Sequence, residues 1–231
     1  QAQYTKKISI KFEENRNQME KESLKKKTVN GVIWSAIDRF STQGIQFVFS
    51  ILIARLLMPS DYGVIAMLGI FLAVSNTFID SGFGTALVQK ANRTETDFST
   101  VFYFNIVVAI IFYALLWLAS PYIASFYNIP MLKDVTRVVA LTLVFSALGG
   151  IQNAKLSIAI NFKTRAIISL TSALSTGFMG LYLAYRGYGA WALVFQMVFS
   201  SLLNTILLWC FVRWMPSLVF SWQSFRQLFS F

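Results

Sequence analysis

Long runs of apolar residues are the feature that most constrains this chain. Six such runs follow one another after residue 28. Each is long enough for a helix that crosses the hydrocarbon core of a bilayer, which takes about 20 residues. The length of the chain alone would permit one or two soluble domains, but the runs overrule that interpretation. The sequence therefore predicts an all-α polytopic membrane protein with about six transmembrane helices forming one bundle.

The predicted spans are separated by short connections, two of which contain a proline that cannot continue a helix. They are placed at about Val29–Leu57, Tyr62–Val88, Phe98–Phe126, Leu132–Ile160, Ile167–Tyr185 and Tyr188–Phe211. Three regions result: a polar basic tail over residues 1–28, the bundle over 29–212, and a terminal segment over 213–231. The aromatic residues of Trp214–Phe231, with Arg226 among them, predict an interfacial amphipathic segment that leads towards a further helix.

Composition narrows the chemistry that the chain can carry out. Charged residues make up only 13% of it, against about one quarter in soluble domains. It has no histidine and one cysteine, Cys210, which excludes histidine acid–base catalysis, His-metal sites and an internal disulfide. No pair of carboxylates or metal-binding cluster is recognisable. We therefore expect no enzyme activity and no cofactor, with H⁺ or Na⁺ as candidate coupling ions.

The positive charges indicate the orientation in the membrane. The net charge is +10, and eight Lys and Arg residues lie in the tail. Fifteen Lys and Arg residues lie in the tail or in segments predicted on the same side of the membrane as the tail, and four lie on the opposite side. The positive-inside rule then places both chain ends in the cytoplasm of a bacterial inner membrane protein. The dispersed basic residues suit lipid headgroups better than nucleic acid, because no basic face accompanies them.

The chain begins with Gln rather than Met, and Met19 opens the segment MEKESLKKK. Residues 1–18 either precede the natural start or belong to a longer cytoplasmic tail, and the sequence favours neither.

Polar residues recur at helical spacing inside several spans and suggest a bundle around a hydrated cavity. The first span carries one such stripe, and the second, fourth and sixth carry others. Such residues either hydrogen-bond between helices or face a cavity. The four stripes comprise Ser35, Arg39, Gln43, Gln46 and Ser50; Asn76 and Asp80; Thr142, Ser146, Gly149, Asn153 and Ser157; and Gln196, Ser200 and Asn204.

Arg39 is the strongest candidate for contact with a ligand. It lies about ten residues, or roughly 15 Å, into the first span. A guanidinium there would suit a phosphate or a diphosphate, whose oxygens match its fork of donors. Snorkelling to the membrane surface, or pairing with Asp38 or Asp80, is the structural alternative. Asp80 would otherwise take part in cation coupling or cap the Gly82-Phe83-Gly84 bend.

Four stretches of the sequence resemble the bacterial polysaccharide or O-antigen flippases, a branch of the multidrug/oligosaccharidyl-lipid/polysaccharide exporter superfamily. The first two, in this order and spacing, are the more specific. The stretches are ARLLMPSDYG at 54–63, DSGFGTALVQ at 80–89, NFKTRA at 161–166 and GYGAWALV at 187–194.

The resemblance implies a fold of twelve to fourteen helices in two bundles, of which this chain supplies the N-terminal one. It implies alternating access that carries polyprenyl-diphosphate-linked oligosaccharide across the membrane, with membrane lipids and a C-terminal bundle as partners and no nucleic acid. The candidate substrate-binding residues are Arg39, Gln43, Gln46, Asn76, Asp80 and Asn153. The alternatives are a multidrug or small-cation exporter of the same superfamily, a polymerase or ligase of polysaccharide assembly, and a nonfunctional fragment.

Overall fold

The part of the chain that the structure describes is built of helices. A computed structural model of the protein describes residues 33–80, 83–90, 93–159 and 161–229, except for the side chains of residues 80, 83, 85 and 227–229. Nine helices and no strand lie in these ranges. They are α1 (33–54), α2 (Pro59–Asp80), α3 (Phe83–Gln89), α4 (Glu95–Phe126), α5 (Met131–Val139), α6 (Leu141–Ile158), α7 (Phe162–Tyr185), α8 (Ala190–Val212) and α9 (Trp222–Phe229).

Five segments of the described chain are long and apolar enough to cross a membrane. This confirms the predicted all-α, multi-pass fold. The first predicted span corresponds to α1, which is helical throughout 33–54 but is not among the five, in keeping with its polar stripe. The tail at 1–28 lies outside the described residues. The five segments are Pro59–Ile79, Glu95–Phe126, Met131–Ile158, Phe162–Tyr185 and Ala190–Val212.

Two predicted boundaries were wrong. The second span was expected to run to Val88, whereas α2 ends at Asp80 and α3 is a separate short helix. The fifth span was expected to begin at Ile167, but α7 begins at Phe162 because the Asn161 side chain caps it, accepting a hydrogen bond from the Thr164 backbone N–H at 3.2 Å.

Helix α4 is continuous although it contains Pro121, which has no N–H to donate to the Trp117 carbonyl one turn earlier. The Ser120 hydroxyl donates to that carbonyl instead, at 2.8 Å. Arg137 of α5 donates to the Ser120 hydroxyl at 3.0 Å and lies 4.1 Å above the Trp117 ring. The missing backbone hydrogen bond is therefore replaced by a side chain that α5 holds in place.

Asp61 joins two helix N-termini at one end of the bundle, which we call the Asp61 end. One carboxylate oxygen accepts the Met58 backbone N–H and the other accepts the Ala190 backbone N–H, both at 3.0 Å. Gly189 permits this approach, because its φ is +56° and an added Cβ would lie 3.2 Å from the carboxylate. Two of the four stretches that carry the family resemblance are thus in direct contact.

Helix α1 packs on α7 and α8 through a small apolar cluster in which Phe49 and Ile53 are buried. The Phe49 ring lies against Gly177 of α7, where an added Cβ would come within 2.6 Å of three ring atoms. The same ring meets the Phe178 ring edge-on, with 5.1 Å between centroids. The absence of a side chain at Gly177 therefore fixes how closely α1 approaches the rest of the bundle.

A charged and aromatic cluster ties the C-terminal segment to the opposite end of the bundle. The Lys155 ammonium donates to both Glu95 carboxylate oxygens, at 2.9 and 3.0 Å, and lies 4.6 Å from the Trp214 ring centroid. Trp214 also donates its indole N–H to Glu95 at 2.6 Å. Farther along, the Ser217 and Ser221 N–H groups donate to hydroxyls of α4. We call Glu95, Lys155 and Trp214 the Lys155 cluster.

Candidate functional site

A cavity of about 850 Å³ lies between α1, α2, α6, α7 and α8. It is large enough for a substantial organic ligand, since ligand pockets are usually roughly 300–1,000 Å³. Its polar lining residues are Thr42, Gln46, Ser50, Tyr62, Asn76, Thr142, Ser146, Ser169, Ser172, Thr176, Gln196, Ser200, Ser201 and Asn204. The cavity that the polar stripes predicted is therefore present.

Hydroxyl and amide groups supply the polar character of this cavity. None of its described lining residues is Asp, Glu, Lys or Arg. The apolar part of the wall includes Phe49, Ile53, Leu72, Leu193 and Met197. In the part of the chain that is described, no group of three or more His, Cys, Asp or Glu residues is placed to hold a metal ion.

Two of the six predicted site residues line the cavity, namely Gln46 on α1 and Asn76 on α2. Arg39, Gln43 and Asn153 are not among its lining residues. The side chain of Asp80 lies outside the described residues, so its predicted role stays a prediction.

Arg39 and Gln43 lie outside the cavity because of the geometry of α1. The cavity-facing residues begin at Thr42, and Arg39 lies three residues, or about 4.5 Å, nearer the N-terminal end of the helix. Gln43 is turned roughly 100° from Thr42 around the helix axis. Both side chains are exposed, and Arg39 makes no ion pair with any described residue.

Asn153 lies beyond the point where α6 meets α8. The Ser201 and Thr205 hydroxyls of α8 donate to the Thr142 and Phe145 carbonyls of α6, at 3.1 and 2.7 Å. At Gly149 the helices are so close that an added Cβ would lie 3.1 Å from Leu208. Thr142 and Ser146, on the first two turns of α6, line the cavity, whereas Gly149 lies against α8 and Asn153 and Ser157 follow it along the helix.

Four amide side chains of the lining have no hydrogen-bond partner within the described part of the chain. They are Gln46, Asn76, Gln196 and Asn204, and we call them the amide quartet. Several lining hydroxyls, by contrast, donate to carbonyls of their own helices, as Ser50 does to Phe47 at 2.8 Å. The quartet therefore offers free donors and acceptors to a ligand in this cavity.

Helix α7 was missed when the candidate residues were chosen from the sequence. Ser169, Ser172 and Thr176 line the cavity, and their spacing of three and four residues is the same helical pattern that marked the other stripes. Gln196 and Asn204 belong to a recognised stripe but were not chosen as ligand contacts. Their arrangement around a common space becomes apparent only once α1, α2 and α8 are assembled.

Comparison with known proteins identifies the family. A sequence profile described as "Polysaccharide biosynthesis protein" matches residues 52–231 and so covers all four stretches noted in the sequence. The chain belongs to this polysaccharide biosynthesis protein family. The resemblance noted in the sequence is thereby confirmed. No solved structure matches the chain significantly.

Curated relatives of this polysaccharide biosynthesis protein come from several bacteria. The chain is 27% identical over 215 residues to the teichuronic acid biosynthesis protein TuaB of Bacillus subtilis, which covers 90% of the chain and 44% of TuaB. It is 25% identical over 206 residues to the succinoglycan biosynthesis transport protein ExoT of Rhizobium meliloti, covering 89% and 42%. The lipopolysaccharide biosynthesis protein WzxC of Escherichia coli is 25% identical over 156 residues, covering 68% and 32%. The chain thus spans less than half the length of these relatives.

Proposed function

We propose that the protein containing this chain moves a lipid-linked oligosaccharide, carried on a polyprenyl diphosphate, across the bacterial inner membrane by alternating access. The observation that carries the proposal is the cavity of about 850 Å³, lined by hydroxyls and amides, inside a bundle of membrane-length helices. The relatives named for succinoglycan transport and for teichuronic acid and lipopolysaccharide biosynthesis support it. This bundle would supply one wall of the path, and a second bundle the other.

Arg39 is the residue that we assign to the diphosphate, with Gln43 one helical turn away. Its guanidinium is exposed at the N-terminal side of the cavity residues of α1. A fork of charged donors at this position would bind phosphate oxygens in two parallel hydrogen bonds. The N-terminus and the Lys155 cluster would then face the cytoplasm, where the diphosphate-linked precursor is expected to enter. H⁺ or Na⁺ would drive the cycle.

The test is Arg39→Ala in the intact gene product that contains this chain. Loss of a hydrogen-bonded charge costs about 1.5–3 kcal/mol, so we expect polysaccharide export to fall roughly tenfold or more. Cell-surface polysaccharide is measured together with the amount of protein in the membrane. The matched control is Arg55→Ala, which removes an exposed arginine just beyond the other end of α1 and should leave export unchanged.

Normal export by Arg39→Ala at a normal protein level would show that Arg39 does not bind the diphosphate. Efflux of cationic dyes without any polysaccharide phenotype would favour a small-cation exporter instead. Such an exporter is expected to present acidic side chains to its substrate, and the described cavity wall has none.

A further inference from the structure

The described wall of the cavity has no charged side chain, and this limits which part of a lipid-linked sugar the cavity can bind. The substrate that we propose has a polyprenyl chain, a diphosphate with formal negative charges, and a sugar rich in hydroxyls. These parts differ in what they require of a site within the membrane. A buried phosphate requires a compensating cation or several charge-assisted donors, because an unpaired charge at membrane depth is costly.

The described lining residues supply no such cation. Lysine and arginine are the residues that bind phosphate most effectively, and neither is among them. Arg39 is exposed and lies outside the lining. The cavity and the cation that we assign to the diphosphate are thus separated along α1.

The amide quartet matches the hydroxyl groups of a sugar. A hydroxyl both donates and accepts, and so does the amide of Asn or Gln, which offers two donor hydrogens and an acceptor oxygen. The four amides come from three helices, α1, α2 and α8, and have no other partner among the described residues. Gln46 is exposed and the other three amides are half-buried, so all four are accessible to a ligand with several hydroxyls.

The position of one member of the quartet is fixed by its neighbour. Gln196 lies against Gly180 of α7, where an added Cβ would come within 2.6 Å of the amide carbon of Gln196. This glutamine can reach its place only because residue 180 has no side chain. The packing of α7 on α8 therefore sets where one of the four amides lies.

We infer that the amide quartet binds the uncharged hydroxyl groups of the transported sugar and that the diphosphate remains outside this cavity. The inference rests on the proposed function and assigns Gln196 and Asn204 as further sugar-binding residues. Sugar recognition and diphosphate recognition then belong to different parts of the protein.

The single cysteine of the chain makes a direct test practical. Ser200 lies one turn from both Gln196 and Asn204 on α8, so Ser200→Cys places a thiol within the site, in a background in which Cys210 and every further cysteine of the intact gene product are replaced by Ser. The intact gene product is placed in lipid nanodiscs, and the rate of labelling by uncharged N-ethylmaleimide is measured. Three competitors are compared: the lipid-linked precursor from the producing cell, the oligosaccharide released from it by mild acid, and inorganic pyrophosphate.

The precursor and the free oligosaccharide are expected to slow labelling about tenfold at ten times their dissociation constants. Pyrophosphate should leave the rate unchanged. Protection by pyrophosphate would overturn the inference, because it would place the anion in the cavity. Protection by the precursor but not by the free oligosaccharide would overturn it too while leaving the transport function standing. If the precursor does not protect, the proposed function itself fails and the inference fails with it.

Substitutions within the quartet give an independent check. Gln196→Ala and Asn204→Ala should each weaken protection by the free oligosaccharide about tenfold, and Gly180→Ala should act like Gln196→Ala by displacing the amide. The matched control is Gln223→Ala, which removes an exposed amide from α9. The labelling rate without ligand reports whether each variant keeps the cavity. Unchanged protection in all three variants would overturn the assignment.

Discussion

At the scale of a single residue, Asp61 in the first turn of α2 links the starts of two helices. Its two carboxylate oxygens accept N–H groups from residues that are far apart in sequence, Met58 and Ala190. Each N–H belongs to the start of a helix, where no carbonyl of that helix is available as an acceptor. A negative charge there also suits the helix dipole.

Replacing Asp61 by Asn should destabilise the bundle. The amide keeps one oxygen acceptor in place of two, so one helix start loses its partner and the remaining hydrogen bond loses its charge. We expect a loss of about 1–3 kcal/mol, seen as a lower midpoint of thermal unfolding in detergent. Asp134→Asn makes the same chemical change in the exposed first turn of α5 and should have little effect. Equal midpoints for the two variants would contradict the proposed role.

Among the helices, the contact between α1 and α7 depends on Gly177. Helix α1 contributes Thr42 and Gln46 to the cavity wall, and Gln46 belongs to the amide quartet. Phe49 packs this helix against the bundle. The distance between α1 and α7 therefore also sets the width of the cavity on that side.

Gly177→Ala should move α1 away from α7, because the added methyl group overlaps the Phe49 ring. Overpacking of this kind typically costs about 1–3 kcal/mol. We expect a lower unfolding midpoint and faster labelling of a cysteine at Ser172 in the same cysteine-free background. Gly44→Ala is the control, since nothing lies within 4 Å of an added Cβ there. Recovery of stability in the double variant Gly177→Ala, Phe49→Leu would show that the overlap is the cause.

The Lys155 cluster is a second contact between elements, and its strength lies more in hydrogen bonding and ring contact than in charge. The Glu95 side chain is 67% exposed, so its ion pair with Lys155 contributes little by itself. The indole of Trp214 adds a donor to Glu95 and a face to Lys155.

Trp214→Phe keeps an aromatic face but removes the indole N–H that Glu95 accepts. The segment 213–221 has no helix and is held by side chains of α4, so its backbone should exchange hydrogen for deuterium faster in this variant. We expect roughly a fivefold increase, which corresponds to about 1 kcal/mol. Trp222→Phe, at a residue that is 69% exposed, serves as the control. Exchange that is equally fast in both variants would show that the N–H does not hold the segment.

At the scale of the whole molecule, the sequence predicted the helices well because long apolar runs determine them almost alone. It was less successful where a local contact decides a helix end, as at Asn161, whose side chain caps α7 five residues earlier than predicted. For the site, helical spacing predicted positions that face a cavity, and Gln46 and Asn76 lie in its wall. It could not exclude Gln43 or Asn153, because exclusion depends on how α1 is turned and on where α6 meets α8.

The proposed orientation of the molecule can be checked with single cysteines in the same cysteine-free background. Ser60→Cys lies at the Asp61 end, and Gln89→Cys, at the exposed last residue of α3, lies at the other end of the bundle. We expect a membrane-impermeant thiol reagent to label the first from outside intact cells and the second only after the membrane is opened. The reverse pattern would contradict the positive-inside assignment.

The hydrogen bond between Asp61 and Ala190 also has a consequence for how the chain is made. Asp61 leaves the ribosome well before Ala190. When α2 enters the membrane, the Asp61 carboxylate oxygen that later accepts the Ala190 N–H therefore still faces water. Only when the last span of this bundle has been inserted does that oxygen receive its N–H partner. The contact between the start of α2 and the start of α8 can therefore form only after synthesis has passed Ala190, so the two ends of the sequence that it joins close last.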